Sequence, residues 1–379
     1  MISDKIKICH ITSVHGRYDD RIFEKQCVYL ANEGFEVTLL VNDGIDDEVL
    51  NGVEIVSIKS AYRDRFVRII KTPKLLFSKA NIIDADIYQI HDPELLPLGI
   101  KLIKKGKKVI YDSHEDLPNL ILQKDWLPYI LRPFISKLVK IYYRLNLKKF
   151  SAVISVTPHI VEKLSKMGGN AIMVTNYPIV EQSVNVAKTL NEYLITPDSL
   201  IYSGTVYPES QQELIFDSLE DINNVNYTIV GSIPTNSYTK YTKHSAWKKV
   251  NFINFVPRNE LNKIYSTATI GLCIFQFTPN LGYRVGTLGS NKLFEYMQYG
   301  LPIICSDSIL WKERIVDKYN CGICVNPYSK EDVVSAINFL VENKEEAYKM
   351  GLNAKKAIEV EFNWDTQFKE YLQIIKKLL

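Results

Sequence analysis

No apolar run in this 379-residue chain approaches the ~20 residues that a membrane-spanning helix needs. An integral helical membrane protein is therefore excluded. Charge of one sign is also lacking: 46 Lys and Arg stand against 43 Asp and Glu, a net charge of +3. That surplus is too small to argue for nucleic acid as a partner. Cysteine is sparse. The six cysteines (Cys9, Cys27, Cys273, Cys305, Cys321 and Cys324) lie mostly in apolar, strand-like or helical contexts, which reads as reduced thiols of a cytoplasmic protein. Cys321-Gly-Ile-Cys324 is a CxxC with no partner pair, and a turn entering a buried strand accounts for it better than a redox or zinc role. The opening MISDKIKICHITSV has no apolar h-region and no cleavage site, which predicts that no signal peptide is present.

What is present is ordinary for a soluble globular protein: 46% hydrophobic and 23% charged residues. The length predicts about two domains at roughly 150–200 residues each, and such domains bury large cores without disulfides. Strand-like runs alternate with helical patterns. Ile6–Ile11, Val37–Val41, Val53–Ile58, Ile87–Ile90, Val109–Asp112, Val153–Val156 and Ile172–Val174 read as strands. The second half repeats the style with Leu200–Tyr202, Tyr227–Val230, Val250–Phe255, Ile270–Ile274, Ile303–Cys305 and Gly322–Val325. Asp20–Asn32 is helical, with Phe23, Cys27 and Leu30 on one face and Gly34 beyond its end. Strand–helix alternation implies right-handed crossovers and mostly parallel sheets. The expectation is α/β: two Rossmann-like, doubly wound domains facing across a cleft, joined near Asn176–Thr196, with a last helix over Trp364–Leu379.

In open α/β sheets, ligands bind beyond the carboxyl ends of the strands. That rule selects Val14–Asp20, His91–Glu94, His114–Asp116, Gly204–Ser210, Gly231–Asn236 and Phe275–Lys292. The last loop runs into SNKLFEYMQYGLP, residues 290–302. A short amphipathic helix begins there and is stopped by Gly300 and Pro302. A helix N-terminus offers unpaired N–H groups and a positive dipole end, and so binds anions such as phosphates. Lys292 in the first turn opposes the dipole, a defect that a bound anion corrects. Glu295, one turn on, is placed to take the hydroxyls of a ribose. The plain alternative is an ordinary connection with Glu295 facing solvent.

Taken in order, the segments resemble the nucleotide-sugar-dependent glycosyltransferases of GT-B architecture, specifically the large retaining family 4. KICHITSVHGRYDDRIFEKQCVYLANEGFEVTLL resembles the opening strand, loop, helix and strand. DIYQIHDPELLPLG and KKVIYDSHEDLP resemble later loops of the acceptor domain. IYSGTVYPES, YTIVGS, VNFINFVPRNEL and SNKLFEYMQYGLPIICSD resemble the donor domain in sequence order, and CGICVNPYSKEDVVSAI with the terminal helix completes the match.

The resemblance implies an acceptor-binding domain over residues 1–180, a donor-binding domain over 190–360, and a helix over 361–379 that crosses back to the first domain. It implies transfer of a sugar from a UDP- or GDP-linked donor to a saccharide or lipid-linked saccharide acceptor, with retention of configuration, in bacterial surface polysaccharide or glycolipid synthesis. No metal and no cofactor beyond the nucleotide-sugar substrate are implied, because phosphate charge is met by helix N-termini and basic side chains. Residue by residue, Glu295 falls where the family's second motif glutamate binds ribose. Ser290, Asn291 and Lys292 fall at the pyrophosphate. His114 matches a histidine near the anomeric carbon, with Glu115 beside it; a histidine merely capping a strand end is the competing reading. Asp92, in His91-Asp92-Pro93-Glu94, is placed to order the acceptor or the sugar. Gly16 and Arg17 fall in the loop that approaches the donor phosphates, and Gly204 and Thr205 in the corresponding turn of the donor half. Arg21 reads as a solvated side chain and His10 as a satisfied core histidine.

Three positions depart from the family pattern. The first motif glutamate is replaced by Thr287, and two phosphate cations by Thr205 and Ser210. Lys292, Arg17 or Arg284 are the available substitutes. The same departures motivate a second reading, a non-catalytic sugar- or partner-binding subunit; a nucleotide-sugar epimerase or hydrolase is a third. Finally, residues 117–149 carry seven basic residues (Lys124, Arg132, Lys137, Lys140, Arg144, Lys148, Lys149) against one acid, Asp125, with Trp126, Tyr129, Phe134, Tyr142 and Tyr143 among them. Residues 62–79 add Arg63, Arg65, Arg68, Lys71, Lys74 and Lys79 beside Phe66, Ile69, Ile70, Leu75, Leu76 and Phe77. Such segments suit the anionic inner face of the plasma membrane; the alternative is two ordinary helices with core aromatics and solvated lysines.

Overall fold

The computed structural model describes residues 5–59, 65–122, 124, 127–180 and 188–379, leaving out the side chains of residues 65, 66 and 68. Arg63, Asp125, Trp126 and positions 181–187 of the expected linker lie outside the described residues, as do the side chains of Arg65, Phe66 and Arg68. The chain divides into two compact units. The first runs through Asn176 and takes in Asp365–Leu379; the second is Tyr177–Trp364. Both are Rossmann-like.

The first unit holds one eight-stranded sheet. Its strands are β1 (Lys7–Ile11), β2 (Glu36–Val41), β3 (Glu48–Leu50), β4 (Val53–Ser57), β5 (Ile87–Ile90), β6 (Lys108–Ser113), β7 (Ala152–Ser155) and β8 (Ala171–Met173). The order is β3-β4-β2-β1-β5-β6-β7-β8. All pairings are parallel except β3 with β4. That three-residue hairpin partner was not anticipated: it is too short, and at Val49 and Leu50 too exposed, for a periodic signal. The chain moves outward from β1 through β2 and β4, then returns to the other side of β1 at β5. The order therefore reverses between β1 and β5, where the next loops diverge and leave room for a ligand. Central strands buried on both faces read as continuous apolar runs; Ile8, Cys9, His10 and Ile11 have no exposure at all.

The second unit holds β9 (Ser199–Ser203), β10 (Asn226–Val230), β11 (Val250–Ile253), β12 (Ile270–Cys273), β13 (Ile303–Ser306) and β14 (Gly322–Val325). Its order is β11-β10-β9-β12-β13-β14, all parallel, with the reversal between β9 and β12. The chain leaves this unit after the helix Lys344–Val360. Trp364, fully buried, donates its backbone N–H to Pro178 O at 2.8 Å. The last helix, Trp364–Lys377, then contributes its side chains from Asp365 onward to the first unit. All six cysteines are unpaired.

One contact fixes the turn after the helix Asn291–Gln298. Gly300, with φ of 67°, ends that helix in the left-handed region. Its carbonyl oxygen lies where Gly351 of the helix Lys344–Val360 comes close, so that a Cβ on Gly351 would stand 2.1 Å from it. Gly351→Ala is therefore expected to force the two elements apart and to cost about 1–3 kcal/mol, the range for overpacking a tight core. Chemical denaturation checks this, and an unchanged midpoint would show that the helices yield freely.

Candidate functional site

In the first unit, the loops after β1, β5 and β6 meet at the reversal point and enclose a pocket of about 510 Å³. His15, His91, Asp92, Glu94 and His114 line its polar side; Val14, Ile69, Leu117 and Leu120 line its apolar side. Asp92 is buried, and its Oδ2 accepts from the Thr12 hydroxyl (2.8 Å) and from the Ser13 backbone N–H (2.6 Å). The β5 and β1 loops are thereby tied together. His15 packs its ring against His114 with centroids 4.9 Å apart. It pairs with Asp19 at 3.1 Å and lies 3.5 Å from Asp92. Burial opposes its charge, but Asp19 and Asp92 prevail and hold its pKa above the usual histidine value. Asp19 also caps the following helix by accepting from Arg21 and Ile22 N–H. Burial raises its pKa, but His15 and the Ile22 amide outweigh that and bring it to about 2.

Behind the pocket stands Asp112, on β6 and fully buried. Arg21 grips it with two bonds, Nε to Oδ2 at 3.1 Å and Nη2 to Oδ1 at 2.9 Å. Gln26 Nε2 donates to Oδ2 at 2.8 Å. Burial favours protonation of Asp112, but Arg21, His114 and His91 hold its pKa well below the usual carboxylate range. His91 and His10 stack 5.2 Å apart, with His91 Nε2 3.0 Å from His10 Nδ1. Burial pushes both of their pKa values down. Tyr371, from the last helix, donates to Gln89 Oε1 at 2.7 Å, and Gln89 donates to Gln26 at 2.8 Å.

In the second unit, the helix Asn291–Gln298 is anchored by Leu293, Phe294, Tyr296 and Met297, all buried. Phe294 packs on Tyr177 and Phe362 with centroids 4.8 Å and 5.4 Å away. The Tyr296 hydroxyl accepts the Ser203 backbone N–H at 2.9 Å, tying the helix to the end of β9. Ser290 occupies the N-cap but makes no side-chain cap bond. Lys292 lies half-buried, its Nζ 5.4 Å from the Tyr202 ring centroid and 5.9 Å from that of Phe275. Desolvation lowers its pKa, and no carboxylate among the described residues forms an ion pair with it. Gly204 supplies the space: at φ of 105°, a Cβ there would meet Lys292 Cε at 2.8 Å. Glu295 Oε1 accepts from Arg258 at 2.7 Å, and Oε2 accepts from the Tyr265 hydroxyl at 2.6 Å. A carboxylate has about four lone-pair positions, so two bonds leave room for ribose hydroxyls.

The structure thus gathers Asp92 and His114 at one pocket and Gly204, Ser290, Asn291, Lys292 and Glu295 at the other strand ends. Glu115 is exposed at the pocket edge. Gly16 is exposed, and nothing lies within 4 Å of where its Cβ would be, so no steric need for glycine exists there. Thr205 accepts from Ser232 Oγ at 3.0 Å. Arg17 is corrected. It is buried, with Nε and Nη2 on Asp43 and Nη1 on Glu48, so its guanidinium is consumed by the β2–β3 loop and is not free for phosphate. Arg284 pairs with Asp307 at 2.7 Å, which leaves Lys292 as the unneutralised cation of the three substitutes. Arg21 is corrected as well: it is buried on Asp112, not solvated. Thr287 is buried and accepts the Gly289 N–H at 2.9 Å. Sequence reasoning missed His15, Asp112, Tyr371, Arg258 and Tyr265. Only His15 had an available signal, its spacing of four residues from Asp19 in a strand-end loop.

Two family models match the chain: "Glycosyltransferase Family 4" over residues 21–176 and "Glycosyl transferases group 1" over residues 194–357. The chain belongs to the GT-B glycosyltransferases of the family 4 type. Solved structures share the fold across nearly the whole length. A sucrose-phosphate synthase from Thermosynechococcus elongatus is 15% identical, with 99% of each chain covered and a TM-score of 0.74. A glycosyltransferase from Rickettsia africae is 14% identical, with 99% of each covered and a TM-score of 0.72. Anabaena Alr3699/HepE in complex with UDP-glucose is 14% identical, with 98% of this chain and 99% of that one covered and a TM-score of 0.66. No curated protein matches the sequence.

The Asp19 environment sets a pH dependence. Its pKa falls from 3.8 unfolded to about 2 folded. The stabilisation is therefore complete above about pH 4 and is lost as pH falls through 2; the shift corresponds to roughly 2 kcal/mol. Asp19→Asn keeps a capping oxygen but loses the charge. It is expected to be less stable than the parent by about 1–2 kcal/mol at pH 7 and equally stable near pH 2. A denaturation series whose difference stays constant with pH would disprove the assignment.

Proposed function

We propose that this protein transfers a sugar, with retention, from a UDP-linked donor to a hydroxyl of a lipid-linked saccharide. The observation that carries the reading is Lys292: a partly desolvated cation that forms no ion pair with a carboxylate among the described residues, at a helix start, beside a glycine whose missing side chain makes room for it. A diphosphate supplies the missing counter-charge, and the helix N–H groups of Ser290 and Asn291 add donors. Glu295, held by Arg258 and Tyr265, takes the ribose hydroxyls. The likeness to a protein solved with UDP-glucose supports a uridine donor. The acceptor enters the pocket lined by His114 and Asp92, and the departing phosphate takes its proton on the face from which the nucleotide leaves.

Absence of the usual glutamate at Thr287 favours a second reading, a subunit that binds the nucleotide sugar without transferring it. Calorimetry with UDP and a donor-hydrolysis assay separate the two. In a folded protein, Lys292→Ala and Glu295→Ala are each expected to weaken UDP binding on the order of tenfold or more, the scale of charge-assisted bonds. His114→Ala is expected to leave UDP affinity intact and to cut turnover at least a hundredfold. UDP binding with no turnover of any UDP-sugar supports the binding subunit; unchanged UDP affinity in both donor-site variants rejects the donor assignment.

The same reading extends to the membrane. The helix Arg132–Asn146 buries only Ser136 and Tyr143, leaving Phe134, Leu138, Ile141 and Leu145 as an exposed apolar stripe at helical spacing. Tyr129 and Ile130 just before it are 80% and 87% exposed. Lys137, Arg144, Lys148 and Lys149 flank the stripe, and no acid occurs between residues 127 and 149. An apolar stripe with basic flanks suits an anionic lipid surface, which takes both. No helix among the described residues is long and apolar enough to cross a membrane. Flotation with vesicles containing phosphatidylglycerol is expected to carry the protein upward at moderate salt. The double variant Phe134→Ser, Leu138→Ser is expected to abolish this, whereas retained flotation would place the contact elsewhere.

A further inference from the structure

In the second unit, Glu295 is held from one face of the helix Arg258–Thr267. Arg258 and Tyr265 stand seven residues apart, about two turns of that helix, and so share a face. Each serves a different carboxylate oxygen: Arg258 Nη1 donates to Oε1 at 2.7 Å, and the Tyr265 hydroxyl donates to Oε2 at 2.6 Å. Burial, and then the charge of Glu295, push the pKa of Tyr265 well above the usual tyrosine value, so the hydroxyl keeps its proton. That single proton goes to the carboxylate, which only accepts. The 2.8 Å contact between the Tyr265 hydroxyl and Ser203 Oγ is therefore one in which the serine donates. Ser203 Oγ in turn takes the proton of the Tyr296 hydroxyl, 3.3 Å away, whose oxygen accepts the Ser203 backbone N–H at 2.9 Å. Ser203, Tyr265 and Tyr296 are all buried, and every hydroxyl proton in the chain has one destination. Gly271 on β12 makes room for it: a Cβ there would stand 2.6 Å from the Tyr296 ring.

We propose that Arg258, Tyr265 and Ser203 are positioning residues, which fix the Glu295 carboxylate so that it tells a ribonucleoside diphosphate from its 2′-deoxy counterpart. The proposal rests on the reading of Glu295 as the ribose group and goes one step beyond it. One bond to each oxygen leaves each oxygen a lone pair, and the two open positions suit a vicinal diol. An unrestrained glutamate gives up rotamer freedom when its ligand arrives; this one has given it up beforehand, which sharpens the response to a single missing hydroxyl. An ion pair with a cation that is 46% exposed adds little to stability, so the use of Arg258 lies in orientation. Ser203 is the last residue of β9 and precedes Gly204, the glycine that makes room for Lys292. The carboxylate for the ribose and the cation for the diphosphate are thus set on one hydrogen-bonded frame.

The test is calorimetry on the full chain with UDP and with 2′-deoxy-UDP. The parent is expected to favour UDP on the order of tenfold, the scale of one hydrogen bond to a charged group. Tyr265→Phe keeps the ring packing on Tyr296 and Tyr299, whose centroids are 5.8 Å and 4.9 Å away, and loses only the hydroxyl. Arg258→Gln removes the charge at a half-exposed position. Each variant is expected to lower the ratio of the two affinities at least ~threefold. A merely structural loss weakens both ligands alike and leaves that ratio where it was. A folded Tyr265→Phe or Arg258→Gln with the parent's ratio overturns the proposal. Glu295→Ala separates the two levels: a ratio near one there, with the parent's ratio in both other variants, keeps the ribose reading and removes the positioning. A parent that binds the two nucleotides equally, or binds neither, rejects the ribose reading and the extension with it. Discrimination that survives Glu295→Ala does the same.

Discussion

The first unit depends on a buried carboxylate that is never allowed to be alone. Asp112 has no exposure, and ionised groups in such places survive only when paired. Arg21 supplies the charge, but the orientation comes from farther away: Gln26 on the same helix, Gln89 on β5, and Tyr371 on the last helix. The helix that carries Arg21 begins with π-type turns over Asp20–Cys27. Such turns are rare and cluster at functional sites; here they lie on the stretch that brings both Arg21 and Gln26 to one aspartate. Breaking a buried pair of this kind typically costs about 3–5 kcal/mol, so this one anchors the pocket as well as the fold.

The second unit uses the opposite arrangement. Its strand ends hold Lys292 partly desolvated and in no ion pair with a carboxylate among the described residues, while Glu295 one turn on is doubly occupied by Arg258 and Tyr265. Partial desolvation of a cation is a cost that a bound anion offsets. The first unit's polar cluster thus pairs its charges from within, with Arg21 on Asp112, whereas in the second unit Lys292 forms no ion pair among the described residues.

Much of the fold was legible. Apolar runs located thirteen of the fourteen strands among the described residues to within two residues, because parallel strands buried on both faces are uniformly apolar. β3 escaped because three half-exposed residues carry no such signal. The loops that hold Asp92 and His114 were picked out by the rule that ligands bind at strand ends, and Glu295 by its motif. Residues whose role is to hold those residues were not. Arg21 looked solvated because its partner is 91 positions away, and Tyr371 lay 282 positions from Gln89. Arg17 carried the right charge in the right loop, yet Asp43 and Glu48 claim it from the next connection. Charge and loop position can be read along the chain; the pairing of one charge with another cannot.

The return of residues 365–379 to the first unit has a consequence for how the chain is made. A ribosome delivers the strands of the first sheet early, but Tyr371 only after the whole second unit has been synthesised. Until then Gln89 and His10 lack their hydroxyl partner, and the interior of the nascent first unit stays unsaturated. The second unit is continuous in sequence and can close as soon as Trp364 emerges. Vectorial synthesis therefore reverses the expected order: the half that begins the chain is the half that finishes last.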